Sequence, residues 1–259
     1  MGVAIHPAAA AVRDLRLEEM AYATARAALD DAGVRRADID HVTLAGSDEI
    51  DARGITSMLL ASPSGAYFAQ GVKPLTVWLS KEYVRAAPGG TGEAKCAGNY
   101  AASLIAQQQA LEAGCQQVVW LDSVHKRFVE EMGGMNLFFV YKDGESSRIV
   151  TPKLTGTLLP GITRDSLLTI AKDLGYATEE ATISIDDWER DLNSGILTEV
   201  FACGTAAVIT PVGEVKFDGG RWVVNGGQTG PISQQLREAL LAVQHGTAPD
   251  VHGFMHRVL

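Results

Sequence analysis

The sequence predicts an α+β protein: a long C-terminal domain preceded by a short β-α-β segment. Three observations carry this. From Lys73 onward, short apolar runs of strand character alternate with segments of helical period, several of them stopped by a glycine. Ahead of them, the first 46 residues read strand, helix, strand, before a loop marked by Pro63 and Gly65. The 259 residues are 46% hydrophobic and 20% charged, enough core for one large domain or two small ones.

In order, residues 3–5 start a short strand. Leu15 to Gly33 reads as an amphipathic helix, with Leu17, Met20, Ala21, Ala25, Ala28 and Leu29 near one face and Gly33 placed to stop it. Asp40–Gly46 is the next strand. Pro74–Leu79 has strand-like apolar content, and Tyr83–Arg85 leads into a glycine-rich loop. Asn99–Ala113 predicts a helix ended by Gly114. Gln117–Leu121 and Asn136–Tyr141 predict strands, with Lys142–Gly144 as a turn. Thr163–Leu174 predicts a helix with Gly175 just past its end. Asp186–Asn193 is a shorter helix, Glu199–Ala202 a strand, Arg221–Val224 a hairpin arm and Ser233–His245 the last helix.

A net charge of −9 argues against a general nucleic-acid surface. No apolar run approaches the roughly 20 residues that span a bilayer, so no membrane partner is expected. The N-terminus lacks the charged start, apolar run and cleavage site of a secretory signal, and the cytoplasm is the expected location. Cys96, Cys115 and Cys203 are too few and scattered for a disulfide framework or a zinc site, and the six histidines form no HExxH pair. No metal is expected.

The chemistry concentrates in Gly89–Tyr100, GGTGEAKCAGNY. Small residues surround Lys95 there, a setting that lets backbone approach a ligand closely. A desolvated lysine amine can condense with a carbonyl cofactor or substrate. The plainer alternative is a solvated lysine in a flexible loop. Cys96 beside it reads as a small residue filling the loop, since no histidine lies near to activate it.

Four strings stand in order: GGTGEAKCAGNY, EEMGGMNLFFV (130–140), LLPGITRDSLL (158–168) and EVFACGTAAVITPV (199–212). Over residues 62–259 the chain thereby resembles the branched-chain aminotransferases, class IV enzymes of fold-type IV. The resemblance implies mixed sheets wrapped into a barrel-like core with flanking helices. It also implies a pyridoxal 5'-phosphate cofactor, transamination of leucine, isoleucine and valine with 2-oxoglutarate, and a homodimer. Lys95 would hold the cofactor aldehyde and shuttle a proton, the work of a buried amine. Glu131 would pair with the pyridine nitrogen, with Glu130 as the competing choice and a plain surface acid as the alternative. Tyr100 would reach the phenolic oxygen, or else be an ordinary core tyrosine. Leu159, Gly161, Ile162 and Thr163 open a helix whose free N–H groups would bind the cofactor phosphate, although an ordinary helix capped by Thr163 fits the same string. Gly204 and Thr205 would complete the cup. Thr205, the Ala206 N–H and Tyr67 would meet the substrate.

There are departures from the pattern. Ala97 stands where the family has a glycine, which matters only if the backbone there needs a positive φ. Some eukaryotic members carry a redox CxxC where Ala207 and Thr210 stand here, so no such switch is carried over. The family's small domain, which supplies a phosphate-binding arginine and closes the site, has no counterpart in residues 1–61, and Arg53 is not in a matching context. That segment, through RDLRLEEMAYATARAALDDAG and GITSMLL, resembles the opening of sterol-carrier or lipid-transfer-type thiolases without their reactive cysteine. The expected division is therefore 1–61 and 62–259, joined at the Leu60–Tyr67 string common to both families. Two alternatives to the transaminase stay open. One is a recombined or truncated remnant that binds the cofactor weakly without turnover. The other is a different class IV enzyme, a D-amino acid transaminase or aminodeoxychorismate lyase.

Overall fold

The computed structural model describes residues 73–101 and 103–255, together with strands 41–48 and 55–62 and residues 26, 27, 30 and 33. The chain divides into two compact units, Met1–Ala69 and Gln70–Leu259. In the first, β1 (His41–Asp48) and β2 (Ile55–Ser62) pair antiparallel, with His41 opposite Ser62. β1 matches the strand expected at 40–46, and the GITSMLL run forms most of β2. The strand expected at 3–5, nearly all of the helix expected at 15–33, and Tyr67 lie outside the described residues.

The second unit is built on nine strands. They are β3 (Leu75–Leu79), β4 (Gln117–Leu121), β5 (Val129–Met132), β6 (Met135–Asp143), β7 (Ser146–Pro152), β8 (Ala177–Ala181), β9 (Leu197–Gly204), β10 (Val208–Phe217) and β11 (Gly220–Val223). Six of them close on themselves. β10 pairs with β3, β3 with β4, β4 with β5, β5 with β6, β6 with β9, and β9 returns to β10. The two pairings through β3 are parallel and the other four antiparallel. β7 and β8 extend the sheet from β6, and β11 from β10. This is the barrel-like mixed core expected of fold-type IV.

Alternation along β6 divides the core. Leu137, Phe139 and Tyr141 join Val77, Leu79, Val119, Leu121 and the buried Trp188. Phe138 and Val140 face the other way, against Leu167 and Ile170 of α3 (Ile162–Asp173) and Leu236 and Leu240 of α5 (Pro231–Gln244). Phe138 pairs with Phe201 across β6 and β9, their rings stacked 5.1 Å apart. Strands buried on both faces read as nearly unbroken apolar runs, which is why β4 and β6 were legible.

Besides β2 in the first unit, four strands of the second were not foreseen. β5 (VEEM) and β8 (ATEEA) carry glutamates at adjacent positions, and β7 begins polar. β10 contains Pro211 and Gly213, ordinarily breakers. They sit where β10 changes partner: Pro211 is its last residue paired with β9, Val212 the first paired with β3, and a register shift follows at Gly213.

The helix expected at 99–113 is two helices, α1 (Ala97–Ala101) and α2 (Leu104–Glu112). Ser103 lies between them and donates its hydroxyl to the Tyr100 carbonyl at 2.7 Å. α4 (Ile185–Asn193) starts with a capping box between Ser184 and Asp187. α5 has no side-chain cap of its own. Glu199, buried on β9, accepts from the Ile232 N–H at 2.9 Å and the Ser233 N–H at 2.8 Å instead. Gly230 makes room for it, since a Cβ there would lie 1.9 Å from the Glu199 carboxyl carbon.

Candidate active site

β5 runs between β4 and β6, so all four of its residues are buried. A strand turns successive side chains to opposite faces, and this separates the two adjacent glutamates. Glu131, 1% exposed, lines a cavity of about 220 Å³ together with Arg85, Lys95, Tyr100, Trp120 and Leu159. Glu130 instead accepts a hydrogen bond from the Thr157 hydroxyl.

Both Glu131 oxygens are engaged. Oε1 accepts from the Leu159 N–H at 2.5 Å, and Oε2 lies 3.2 Å from Arg85 Nε. That Nε has no well-directed hydrogen bond, so the Arg85 contact is chiefly ionic. Burial pushes the Glu131 carboxyl up to about 7, against the pull of the Arg85 charge, the Leu159 N–H and, more weakly, Lys95. Burial likewise raises Glu130, against the Thr157 hydrogen bond.

The raised Glu131 has a measurable consequence in the cofactor-free chain. Its folded pKa lies above the unfolded value, so its contribution to stability is fullest at low pH and is lost as pH rises through about 7. Glu131→Gln removes the cost of burying that charge. The variant is expected to be more stable than the parent at pH 8, by roughly 1–3 kcal/mol, with the difference shrinking at pH 5. Urea unfolding at the two pH values measures it, and a pH-independent difference contradicts the assignment.

The lysine loop is held from one side by Asn99, which donates to the Thr91 carbonyl at 2.8 Å and the Ala94 carbonyl at 3.0 Å and accepts from the Thr91 hydroxyl at 2.8 Å. Lys95 itself is exposed. This corrects the expectation of a buried amine: Lys95 lines the cavity from an exposed position. Tyr100 is 52% exposed and lines the cavity, so it is not a core tyrosine. Ala97 opens α1 and is not among the residues with positive φ, so the family's glycine is not needed there. The Cys96 thiol is lowered by hydrogen bonding from the Gly98 N–H and Thr91.

Gly161 is the N-cap of α3 with no side-chain hydrogen bond. Thr163 is therefore the second helical residue and not the cap, a correction that leaves the first N–H groups of the helix without a side-chain acceptor. Ile162 is 82% exposed. Gly204 ends β9 and Thr205, Ala206 and Ala207 form the turn to β10, which opens at Val208 with φ 59°, a strained value for a β-branched residue. Neither group lines the cavity that holds Lys95, but both rest on the start of β6. A Cβ on Gly161 would lie 2.2 Å from Asn136 Oδ1, and one on Gly204 3.2 Å from Met135 Cγ. Asn136 pairs with both Glu131 and Cys203, and it donates to the Leu159 carbonyl at 2.9 Å. Among the described residues no group of His, Cys, Asp and Glu could hold a metal ion, and no helix is long and apolar enough to cross a membrane.

Arg85 was missed in the sequence. An arginine in the otherwise apolar approach to a glycine-rich loop was the available signal. Its partners could not be read there, because one of them, Thr157, lies 72 residues away.

The family profile for class IV amino-transferases matches residues 19–215. A branched-chain-amino-acid aminotransferase of Mycolicibacterium smegmatis is 61% identical over 201 residues, 78% of this chain and 55% of that protein. The Mycobacterium tuberculosis H37Rv protein of the same name is 58% identical over 201 residues, again 78% of this chain and 55% of that protein. The chain thus spans about half the length of the curated relatives it matches. Among solved structures, the Escherichia coli branched-chain amino acid aminotransferase superposes with a TM-score of 0.66 at 32% identity, covering 82% of this chain and 65% of that one. The branched-chain amino acid aminotransferase of Thermoproteus uzoniensis with norvaline gives 0.64 at 28% identity, covering 82% and 65%. With the profile spanning most of its length and the closed mixed sheet of its neighbours, the chain belongs to the class IV aminotransferase family.

Proposed function

We propose that the chain is a pyridoxal 5'-phosphate-dependent transaminase that moves the amino group of leucine, isoleucine or valine to 2-oxoglutarate. The observation that carries this is the convergence of Lys95, Tyr100 and Leu159 on a cavity floored by the buried Glu131. The residues suit the cofactor: a buried acid for a pyridine nitrogen, an amine for an aldehyde, and an uncapped helix start at Gly161 for a phosphate. Bound pyridoxal phosphate would supply an electron sink that acidifies the substrate's Cα proton. Lys95 would anchor it and carry that proton. Glu131 would hold its charge against the ring nitrogen and keep that nitrogen protonated. Tyr100 would bond the phenolic oxygen, and Leu159 would lie against the ring. Gly161, Ile162, Thr163, Gly204 and Thr205 would hold the phosphate. Tyr67, Thr205 and the Ala206 N–H would orient the amino acid.

The reading includes a cytoplasmic homodimer. Exposed Leu104, Ile105 and Leu111 on α2, close to Tyr100, are the kind of apolar surface a partner copy covers. It also includes a thiolase-like segment at 1–61 ahead of the aminotransferase domain. The string quoted above supports that segment, and the class IV match beginning at residue 19 competes with it over residues 19–61.

The second reading is a remnant that binds the cofactor without turnover. The uncovered Lys95 favours it. Incubating the purified chain with pyridoxal phosphate, ¹⁵N-leucine and 2-oxoglutarate decides. ¹⁵N-glutamate, formed faster than the ¹⁵N product from ¹⁵N-D-alanine, supports the transaminase. Cofactor binding with no label transfer leaves the remnant, and transfer from D-alanine alone points to a D-amino acid transaminase.

A further inference from the structure

Arg85 makes contact with three separate parts of the site. It is 9% exposed, and its Nη2 donates to the Gly92 carbonyl at 2.9 Å and to the Thr157 carbonyl. Its Nε faces Glu131 at 3.2 Å. Gly92, in the lysine loop, is pressed onto the same residue, since a Cβ there would lie 2.5 Å from the Thr157 carbonyl oxygen. The segment that receives the loop is itself held twice by β5: Glu130 accepts from the Thr157 hydroxyl, and Glu131 from the Leu159 N–H.

We propose that Arg85 is a positioning residue that fastens the lysine-bearing loop to the Thr157–Leu159 segment and fixes Glu131 beside both. The fastening depends on the fork of the guanidinium, which gives one nitrogen to two carbonyls and another to a carboxylate. A lysine carries its three donors on a single nitrogen and lacks the spacing between Nη2 and Nε that the fork provides. Arg85 is then also the cation that opposes the burial of Glu131. The other groups facing that carboxylate are the Leu159 N–H, Glu130 and Lys95. That Lys95 and Glu131 serve a bound cofactor rests on the function proposed above, but the fastening belongs to the cofactor-free chain and is tested there.

Hydrogen exchange reads the fork. The Ala94 amide donates to the Thr91 carbonyl at 3.0 Å and the Cys96 amide to the Ala94 carbonyl at 2.9 Å, so both report on loop order. In Arg85→Lys these two amides are expected to exchange about ten- to a hundredfold faster, the loss of one or two hydrogen bonds to a charged donor. Amides of β4 should stay within about twofold. Gly92→Ala should loosen the same loop while leaving Arg85 in place. Unchanged exchange in both variants would mean that Asn99 alone holds the loop, and would overturn the fastening. A ¹³C NMR titration of glutamate carboxyls, assigned with Glu131→Gln, reads the charge. Removing the cation favours the neutral acid, so Arg85→Gln should shift the Glu131 midpoint upward while Arg85→Lys shifts it less. A purely structural residue would not separate the two variants in this way. Equal midpoints in parent and Arg85→Gln would overturn the role at Glu131. Failure of pyridoxal phosphate to bind would defeat the proposed function and leave these results standing.

Discussion

Lys95→Ala is expected to abolish covalent retention of pyridoxal phosphate and to lower amino-group transfer by at least about a thousandfold. The side chain is asked to do two things, to anchor the cofactor and to carry a proton, and positioned proton transfer alone contributes roughly 10²–10⁴ in rate. Glu131, Tyr100 and the α3 start would remain, so the variant should still take up the cofactor reversibly. Borohydride reduction followed by peptide mapping separates these outcomes. The parent should carry the cofactor on the peptide containing Lys95, and the variant on none. Covalent label at another lysine, or equal transfer rates, would remove Lys95 from the site.

Trp188→Ala is expected to cost about 3–5 kcal/mol of stability, the range for emptying a large aromatic from a closed core. Trp188 is fully buried, with Phe139 edge-on at 5.0 Å and Trp222 at 5.8 Å. Its Nε1–H finds no hydrogen-bond partner among the described residues, and an unpaired buried donor costs roughly 1–3 kcal/mol. Trp188→Phe keeps most of the ring and discards the orphan, so it should cost much less than Trp188→Ala. For a protein of this size the alanine variant should melt about 10 °C lower or more. Thermal unfolding of the pair measures the difference. If the two variants lose the same stability, ring packing is not what Trp188 contributes.

What could be read in the sequence follows from which interactions are local. β4 and β6 are buried on both faces and announce themselves as apolar runs, β3 is mostly apolar though buried only at Val77 and Leu79, and α4 carries its own capping box. β5 and β8 were invisible because their glutamates are satisfied by distant partners, Thr157 and Leu159 for β5, Arg164 and Arg148 for β8. β10 hid behind Pro211 and Gly213, whose place is understood only once the strand is seen to change neighbours. Lys95 and Glu131, which line one cavity, lie within contiguous strings, as does the helix start at Gly161, which stands outside that cavity. Arg85 was missed, for its role is to join three strings. The motif preferred Glu131 to Glu130, and the alternation of β5 supplies the physical reason, since it turns Glu131 to the cavity and Glu130 to Thr157.

β9 closes the six-stranded ring, and its position in the chain has a consequence for synthesis on the ribosome. Its 8 residues, Leu197–Gly204, pair with β6 some 60 residues earlier and with β10 immediately after. Until it emerges, β6 has one long edge unpaired, and Met135 and Asn136 lack the β9–β10 turn that rests on them. The lysine loop and Glu131 emerge early, yet their surroundings are finished only when β9 and β10 are available. A nascent chain halted before residue 197 would present an apolar open-edged sheet, which is the form that draws chaperones and aggregation. Emergence of β9 and β10 therefore coincides with both the closing of the sheet and the arrival of the turn that rests on Met135.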